Sequence, residues 1–189
     1  MAESNKFNEL SHLVLDELQA VFAEMTDESV RGLLELIKKA PRVFLIGGGR
    51  EGLATKSFAM RLSHLGKVTY WIWDDTTPSI GQGDLLICAS GSADTGHINH
   101  VIRMAKESGA TIALVTASVN GVIAGMADLV TKVPAEAYRA SGDFVKSEQL
   151  MGNLFEQTLF ILFDVLVMML RIELGISKAD MVARHRNVE

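Results

Sequence analysis

The chain has 189 residues, 48% of them hydrophobic and 22% charged, which suits one well-packed core and excludes a disordered chain. A formal charge of −5 argues against a general nucleic-acid binder, and one cysteine, Cys88, excludes an internal disulfide framework or a Cys-rich zinc site. The polar start, Met1-Ala2-Glu3-Ser4-Asn5-Lys6, is unlike a secretory leader, so a reducing, cytoplasmic setting is expected.

Leu10, Leu13, Val14, Leu18, Val21 and Phe22 recur at helical spacing, and Thr26 with Asp27 caps a second helix that runs to Pro41. Val43-Phe44-Leu45-Ile46 reads as a buried strand that ends in Gly47-Gly48-Gly49, with a helix over Leu53 to Leu65 behind it. Val68 to Trp73 forms a second strand and Leu85 to Ala89 a third. The loop Ser90-Gly91-Ser92-Ala93-Asp94-Thr95 then opens a helix that reaches Glu107. Thr111 to Val115 and Leu129 to Val133 are strands four and five, with a short helix expected between them near Val122 to Met126.

Residues 135–149 are polar and irregular, and a long apolar helix follows over about 151–174. Glu156, Gln157 and Asp164 interrupt that stretch, which favours a buried helix over a membrane span. Ser177 and Asp180 have the spacing of a capping box for a last short helix.

Strands separated by helical stretches imply an α/β fold: a three-layer α/β/α sandwich on a five-stranded parallel sheet. The flavodoxin-like order 2-1-3-4-5 is the most economical and puts the switch point between strands one and three. A single domain is expected, with N-terminal helices over 1–40, sheet and crossover helices over 41–135, and C-terminal helices over 150–189.

Ligands in such sheets bind beyond the carboxyl ends of the strands at the switch point. The loops there are Gly47-Gly48-Gly49-Arg50 and the serine loop, and each opens a helix whose first N–H groups lack partners. Ser90, Ser92 and Thr95 add hydroxyl donors without adding charge, a combination suited to a phosphate monoester. The glycine run is no Walker A motif and no clean dinucleotide fingerprint, although Gly52 and the nearby Asp74 and Asp75 leave a dinucleotide site as an alternative; read alone, it is as well explained by a tight turn. Glu156 lies in the first turns of a very apolar helix, where a carboxylate is costly unless paired or facing a cavity, and is the main candidate for a general base. The plainer alternative is an acid complementing the helix N-terminus. His97 and His100 lie three apart, as metal ligands can, but have no third ligand in a recognisable motif, so a solvated or interface face is the better reading.

Several stretches, in order along nearly the whole chain, resemble one family. They are Phe44-Leu45-Ile46-Gly47-Gly48-Gly49-Arg50, Phe58-Ala59-Met60-Arg61-Leu62-Ser63-His64-Leu65-Gly66, Thr76-Thr77-Pro78-Ser79-Ile80-Gly81-Gln82-Gly83-Asp84, the serine loop, Met151-Gly152-Asn153-Leu154-Phe155-Glu156 and Arg184-His185-Arg186-Asn187-Val188-Glu189. Together they are similar to the sugar isomerase (SIS) domain family, in its 6-phospho-3-hexuloisomerase branch.

The resemblance implies conversion of D-arabino-3-hexulose 6-phosphate into D-fructose 6-phosphate through a cis-enediol, a step of the ribulose monophosphate pathway, without cofactor or metal. It implies Glu156 as proton shuttle and His64 as a relay or hydroxyl-orienting group. Gly49, Arg50, Ser90, Gly91, Ser92, Asp94 and Thr95 are the expected substrate-binding set. A phosphorylated sugar is the expected partner, with no nucleic acid and no membrane. A homo-oligomer is expected, a tetramer in preference to a dimer. The alternatives are a non-catalytic phosphosugar-binding protein and an isomerase of a different phosphosugar.

One departure stands out: Glu51 follows Arg50 where the family usually has serine. An anion beside a phosphate site is unfavourable unless it turns outward or bonds a cation, and Arg50 and Lys56 are the candidate cations.

Overall fold

The computed structural model describes residues 5–188. Strands β1 (Arg42–Gly47), β2 (Val68–Trp71), β3 (Leu85–Ala89), β4 (Thr111–Thr116) and β5 (Leu129–Lys132) form one sheet in the order β2-β1-β3-β4-β5. All neighbours run parallel; Leu45 of β1, for example, pairs with Trp71 on one side and Ile87 on the other. The order is the expected one, with the switch point between β1 and β3.

Among the described residues six helices flank the sheet: α1 (Lys6–Ala23), α2 (Asp27–Lys39), α3 (Gly49–His64), α4 (Gly96–Glu107), α5 (Asn153–Glu173) and α6 (Lys178–Ala183). Alternation along β1 divides the core into two layers. Val43 and Leu45 join a cluster with Leu34 of α2, Phe58 of α3 and Phe163 of α5. Phe44 and Ile46 join the other, with Ile98 and Ile102 of α4. Phe58 and Phe163 stack with ring centroids 4.5 Å apart, fastening α3 to α5. By length and composition α5 is apolar enough to cross a membrane, yet its inner face packs in this core.

Both expected caps are present: Thr26 with Ser29 and Ser177 with Asp180 form reciprocal capping boxes. Three expectations fail. Helix α3 begins at Gly49, a full turn before Leu53, because the Gly52 N–H already donates to the Gly48 carbonyl at 2.9 Å. Strand two stops at Trp71, because the Asp74 N–H donates to the Trp71 carbonyl (3.0 Å) and turns the chain. Residues 122–126 form an irregular turn rather than a helix. Gly121 packs against the Ala93 carbonyl at its start and Gly125 loosens its end, so five residues do not sustain a helical nucleus. Ile123 is nonetheless fully buried there.

Residues 133–152 are irregular but tied down. Ala135 bridges Val145, and the Glu136 carboxylate accepts the Ser147 amide at 2.9 Å. From α1, Glu17 accepts the Ser147 hydroxyl (2.6 Å), the Glu148 amide (2.8 Å) and the Gln149 side chain (2.9 Å).

The N-terminus of α3 lies almost on the backbone of β1. A Cβ added at Gly52 would come 2.6 Å from the Gly47 carbonyl oxygen, a contact with no flexible side chain to yield. Gly52→Ala is therefore expected to destabilise the protein by about 1–3 kcal/mol through overpacking, read as a lower urea midpoint at unchanged m-value.

Candidate active site

The loop after β3 begins deep in the core. Ser90 is fully buried and its N–H donates to the Val115 carbonyl of β4, while its hydroxyl has no hydrogen-bond partner. Gly91 is held from the same side, its carbonyl accepting the Thr116 hydroxyl (3.1 Å) and the Ser118 amide (3.1 Å). Further along, the Ser92 hydroxyl accepts the Asp94 amide at 3.3 Å. Asn99 of α4 accepts the Thr95 amide (3.2 Å) and donates to Asp94 (2.7 Å), closing the loop onto its own helix.

The glycine loop faces it across the switch point. Gly49 takes a left-handed φ of +51° with open space where a side chain would stand, and Arg50 follows in the first turn of α3. Across from them Gly152 caps the start of α5; its φ of +81° suits glycine, and its lack of a Cβ lets the backbone pass where that atom would lie 2.4 Å from the Tyr138 amide nitrogen. This start brings Phe155 beside Gly91 and Glu156 to Arg50. The Arg50 Nε donates to Glu156 Oε2 at 2.5 Å; Glu156 is 15% exposed and Arg50 61% exposed. Thus the carboxylate is sheltered while its cation borders solvent.

Glu51 does neither of the things expected of it. Arg50 is engaged with Glu156, and Lys56 donates to Asp74 at 3.0 Å. Glu51 instead turns inward, and its Oε1 accepts the Gly91 amide at 2.9 Å. Burial pushes its carboxyl up to about 7, against the pull of the Gly91 amide and with the nearby charge of Glu156 adding to the rise. Burial also drives the Cys88 thiol well upward, and the Glu51 charge contributes.

Of the expected set, Arg50, Gly91 and Glu156 are gathered here, with Gly49, Ser90, Ser92, Asp94 and Thr95 on the two loops that frame them. His64 is not brought to this place. It ends α3, and fourteen residues of helical rise put it about 21 Å from Arg50. There it is buried, its ring 5.1 Å from that of His185 and its carbonyl accepting from Arg184. Both imidazoles line a separate groove of 610 Å³ on the outer face of α3, with Met60, Trp71 and Arg186 among its other walls. His97 and His100 diverge, one towards Trp73 and the other towards Arg103. Among the described residues no three His, Cys, Asp or Glu side chains gather to hold a metal. Sequence reasoning missed Ala137, which closes on Gly91 from the irregular segment, and the brace from Thr116 and Ser118. Neither leaves a motif to find.

The SIS domain model matches residues 36–162. The chain belongs to the SIS family. Among curated SIS relatives, the 3-hexulose-6-phosphate isomerase of Mycobacterium gastri is 38% identical over 182 residues, covering 96% of this chain and 90% of that one. The enzyme of the same name from Bacillus subtilis (strain 168) is 34% identical over 176 residues, covering 93% and 95%. A crystal structure from Methanococcus jannaschii, from which that function was inferred, superposes at a TM-score of 0.82 with 29% identity, covering 96% and 99%. Within the SIS family this chain is an enzyme of the isomerase class.

Ionising Glu51 in its buried setting opposes folding. With its pKa raised from 4.5 to about 7, the folded state holds a proton that the unfolded state releases, so this contribution to stability falls as pH rises through that window. Glu51→Gln is expected to stabilise the protein at pH 8 by on the order of 2–3 kcal/mol and to change it little at pH 4.5. Urea unfolding of both proteins at the two pH values checks the sign.

Proposed function

We propose that this protein interconverts D-arabino-3-hexulose 6-phosphate and D-fructose 6-phosphate in the cytoplasm, within the ribulose monophosphate pathway, with Glu156 as the base. The observation that carries the reading is the Arg50–Glu156 pair: a sheltered carboxylate from α5 held beside the serine loop at the sheet's switch point. The names of the curated relatives support the substrate.

In this reading the amides and hydroxyls of residues 90–95, with Gly49, seat the phosphate, and the sugar carbons extend towards Glu156. The carboxylate takes the C2 proton, the electron pair forms the C2–C3 double bond, and the C3 oxygen gains a proton to give the cis-enediol. Loss of the O2 proton then forms the C2 carbonyl as C3 receives a proton. Arg50 orients the carboxylate and faces the oxygen on which charge develops.

Glu156→Gln is expected to lower kcat by about 10²–10⁴-fold while fructose 6-phosphate still binds. Coupling fructose 6-phosphate release to a dehydrogenase reads the rate, and calorimetry reads the binding. Loss of binding together with rate would remove Glu156 from the role of base. A second reading, an isomerase of a different phosphosugar, is favoured by Glu51 holding the Gly91 amide; turnover of another ketose phosphate with none of 3-hexulose 6-phosphate would establish it.

His64 enters this reading through oligomerisation alone, because a rigid helix separates it from Glu156 of its own chain; its imidazole and the His185 tail serve a neighbouring subunit's site. The outer face of α5 leaves Phe160, Ile161, Val165, Met168 and Ile172 exposed, an apolar stripe suited to burial between subunits. Light scattering is expected to show a dimer or tetramer that Val165→Asp dissociates, and a parent particle of only 20.6 kDa would refute the assembly.

A further inference from the structure

Glu51 has no part in the isomerisation chemistry, yet it stands where an incoming anion would go. Its Oε1 lies 2.9 Å from the Gly91 amide nitrogen. A Cβ added at Gly91 would meet that same oxygen at 2.9 Å, the Ala137 methyl at 2.4 Å and the Phe155 ring at 3.3 Å. The carboxylate is therefore lodged in the bend of the serine loop, between apolar walls. The group it holds is a backbone N–H at the carboxyl end of a strand, flanked by the hydroxyls of Ser90 and Ser92, and that is what a phosphate oxygen seeks.

The groups around Glu51 do not neutralise it. Arg50, next to it on α3, gives its Nε to Glu156, and Lys56, further along α3, gives its Nζ to Asp74. Glu156 from α5 adds a like charge, and Cys88 from β3 adds a thiol held neutral by burial. Asp94, at the far end of the serine loop, is bonded to Asn99, and Glu136, in the segment that carries Ala137, is bonded to the Ser147 amide. A dianion placed on Gly91 would meet an ionised carboxylate in a poorly hydrated bend, where like charges repel strongly.

We propose that Glu51 gates the phosphate site: its carboxylate and the substrate's phosphate are alternative occupants of the Gly91 amide, and the phosphate enters as Glu51 takes up a proton. The inference rests on the phosphosugar reading of this site and adds to it the residue that sets phosphate affinity. One proton passes from solvent to the Glu51 carboxylate on binding; the neutral acid yields the amide, and its own O–H donates to a phosphate oxygen. With the carboxyl held at about 7 in the free protein, the proton is already in place in mildly acidic solution and must be acquired in alkaline solution. Affinity for a phosphosugar therefore weakens about tenfold for each pH unit above 7.

The test is isothermal titration calorimetry of the full chain with D-fructose 6-phosphate from pH 7 to 9. There the sugar phosphate, with a second pKa near 6, stays dianionic. Pairs of buffers differing in ionisation heat report the proton count. The expected result is uptake of about one proton per phosphosugar at pH 8.5. Uptake is lost and the affinity profile flattens in Glu51→Gln, which keeps an amide oxygen for Gly91, and in Glu51→Ser, which frees that amide. At pH 8.5, Glu51→Ser is expected to bind at least about tenfold more tightly than the parent. Parent and both variants binding with one shared pH profile and no proton uptake would overturn the gate and leave the phosphosugar reading standing. Binding by none of the three at any pH would overturn both.

Discussion

The contact between Gly47 and Gly52 governs what the site can be. With no side chain on either residue, the first turn of α3 settles against the end of β1, closer than any Cβ would permit. That approach carries Arg50 to Glu156 and Glu51 to Gly91. A helix displaced by the width of a methyl group would leave both contacts beyond hydrogen-bonding reach. The geometry of the candidate site thus rests on a packing constraint in the backbone, made by two residues without side chains.

The electrostatics follow from the same placement. Two carboxylates converge on a loop whose donors are amides and hydroxyls, and one guanidinium, largely in solvent, pairs with one of them. The uncompensated member is buried, so it holds its proton to near-neutral pH. The pair divides the labour that two acids in one crevice can perform: one is kept paired and oriented, the other is sensitive to protonation.

Much of this architecture is legible in residue order. Val43 to Ile46 announces a buried strand, Thr26 and Ser177 announce helix starts, and alternation of strands with helices leads to the observed sheet order. These are local signals backed by period and capping chemistry. The meeting of Arg50 with Glu156, 106 residues apart, follows only from how α5 docks on α3. The direction taken by Glu51 is likewise invisible, because a first-turn residue can face solvent or the neighbouring loop, and the glycine contact decides which. The turn at 122–126 shows the reverse error, where apolar residues at near-helical spacing between two glycines suggest a helix too short to persist. His64 teaches a simpler lesson: a helix is a rod, and the number of residues between Arg50 and His64 is enough to keep the two apart.

The strap from Glu17 has a consequence for the wall of the candidate site. Three donors from residues 147–149 converge on one carboxylate of α1, and the bridge from Ala135 to Val145 pins the other end of the same stretch. Ala137, which walls the bend beside Gly91, sits inside that doubly anchored span. The span behaves as masonry rather than as a door, and the N-terminal helix, though it adds no residue to the candidate site, buttresses the wall beside Gly91 from behind.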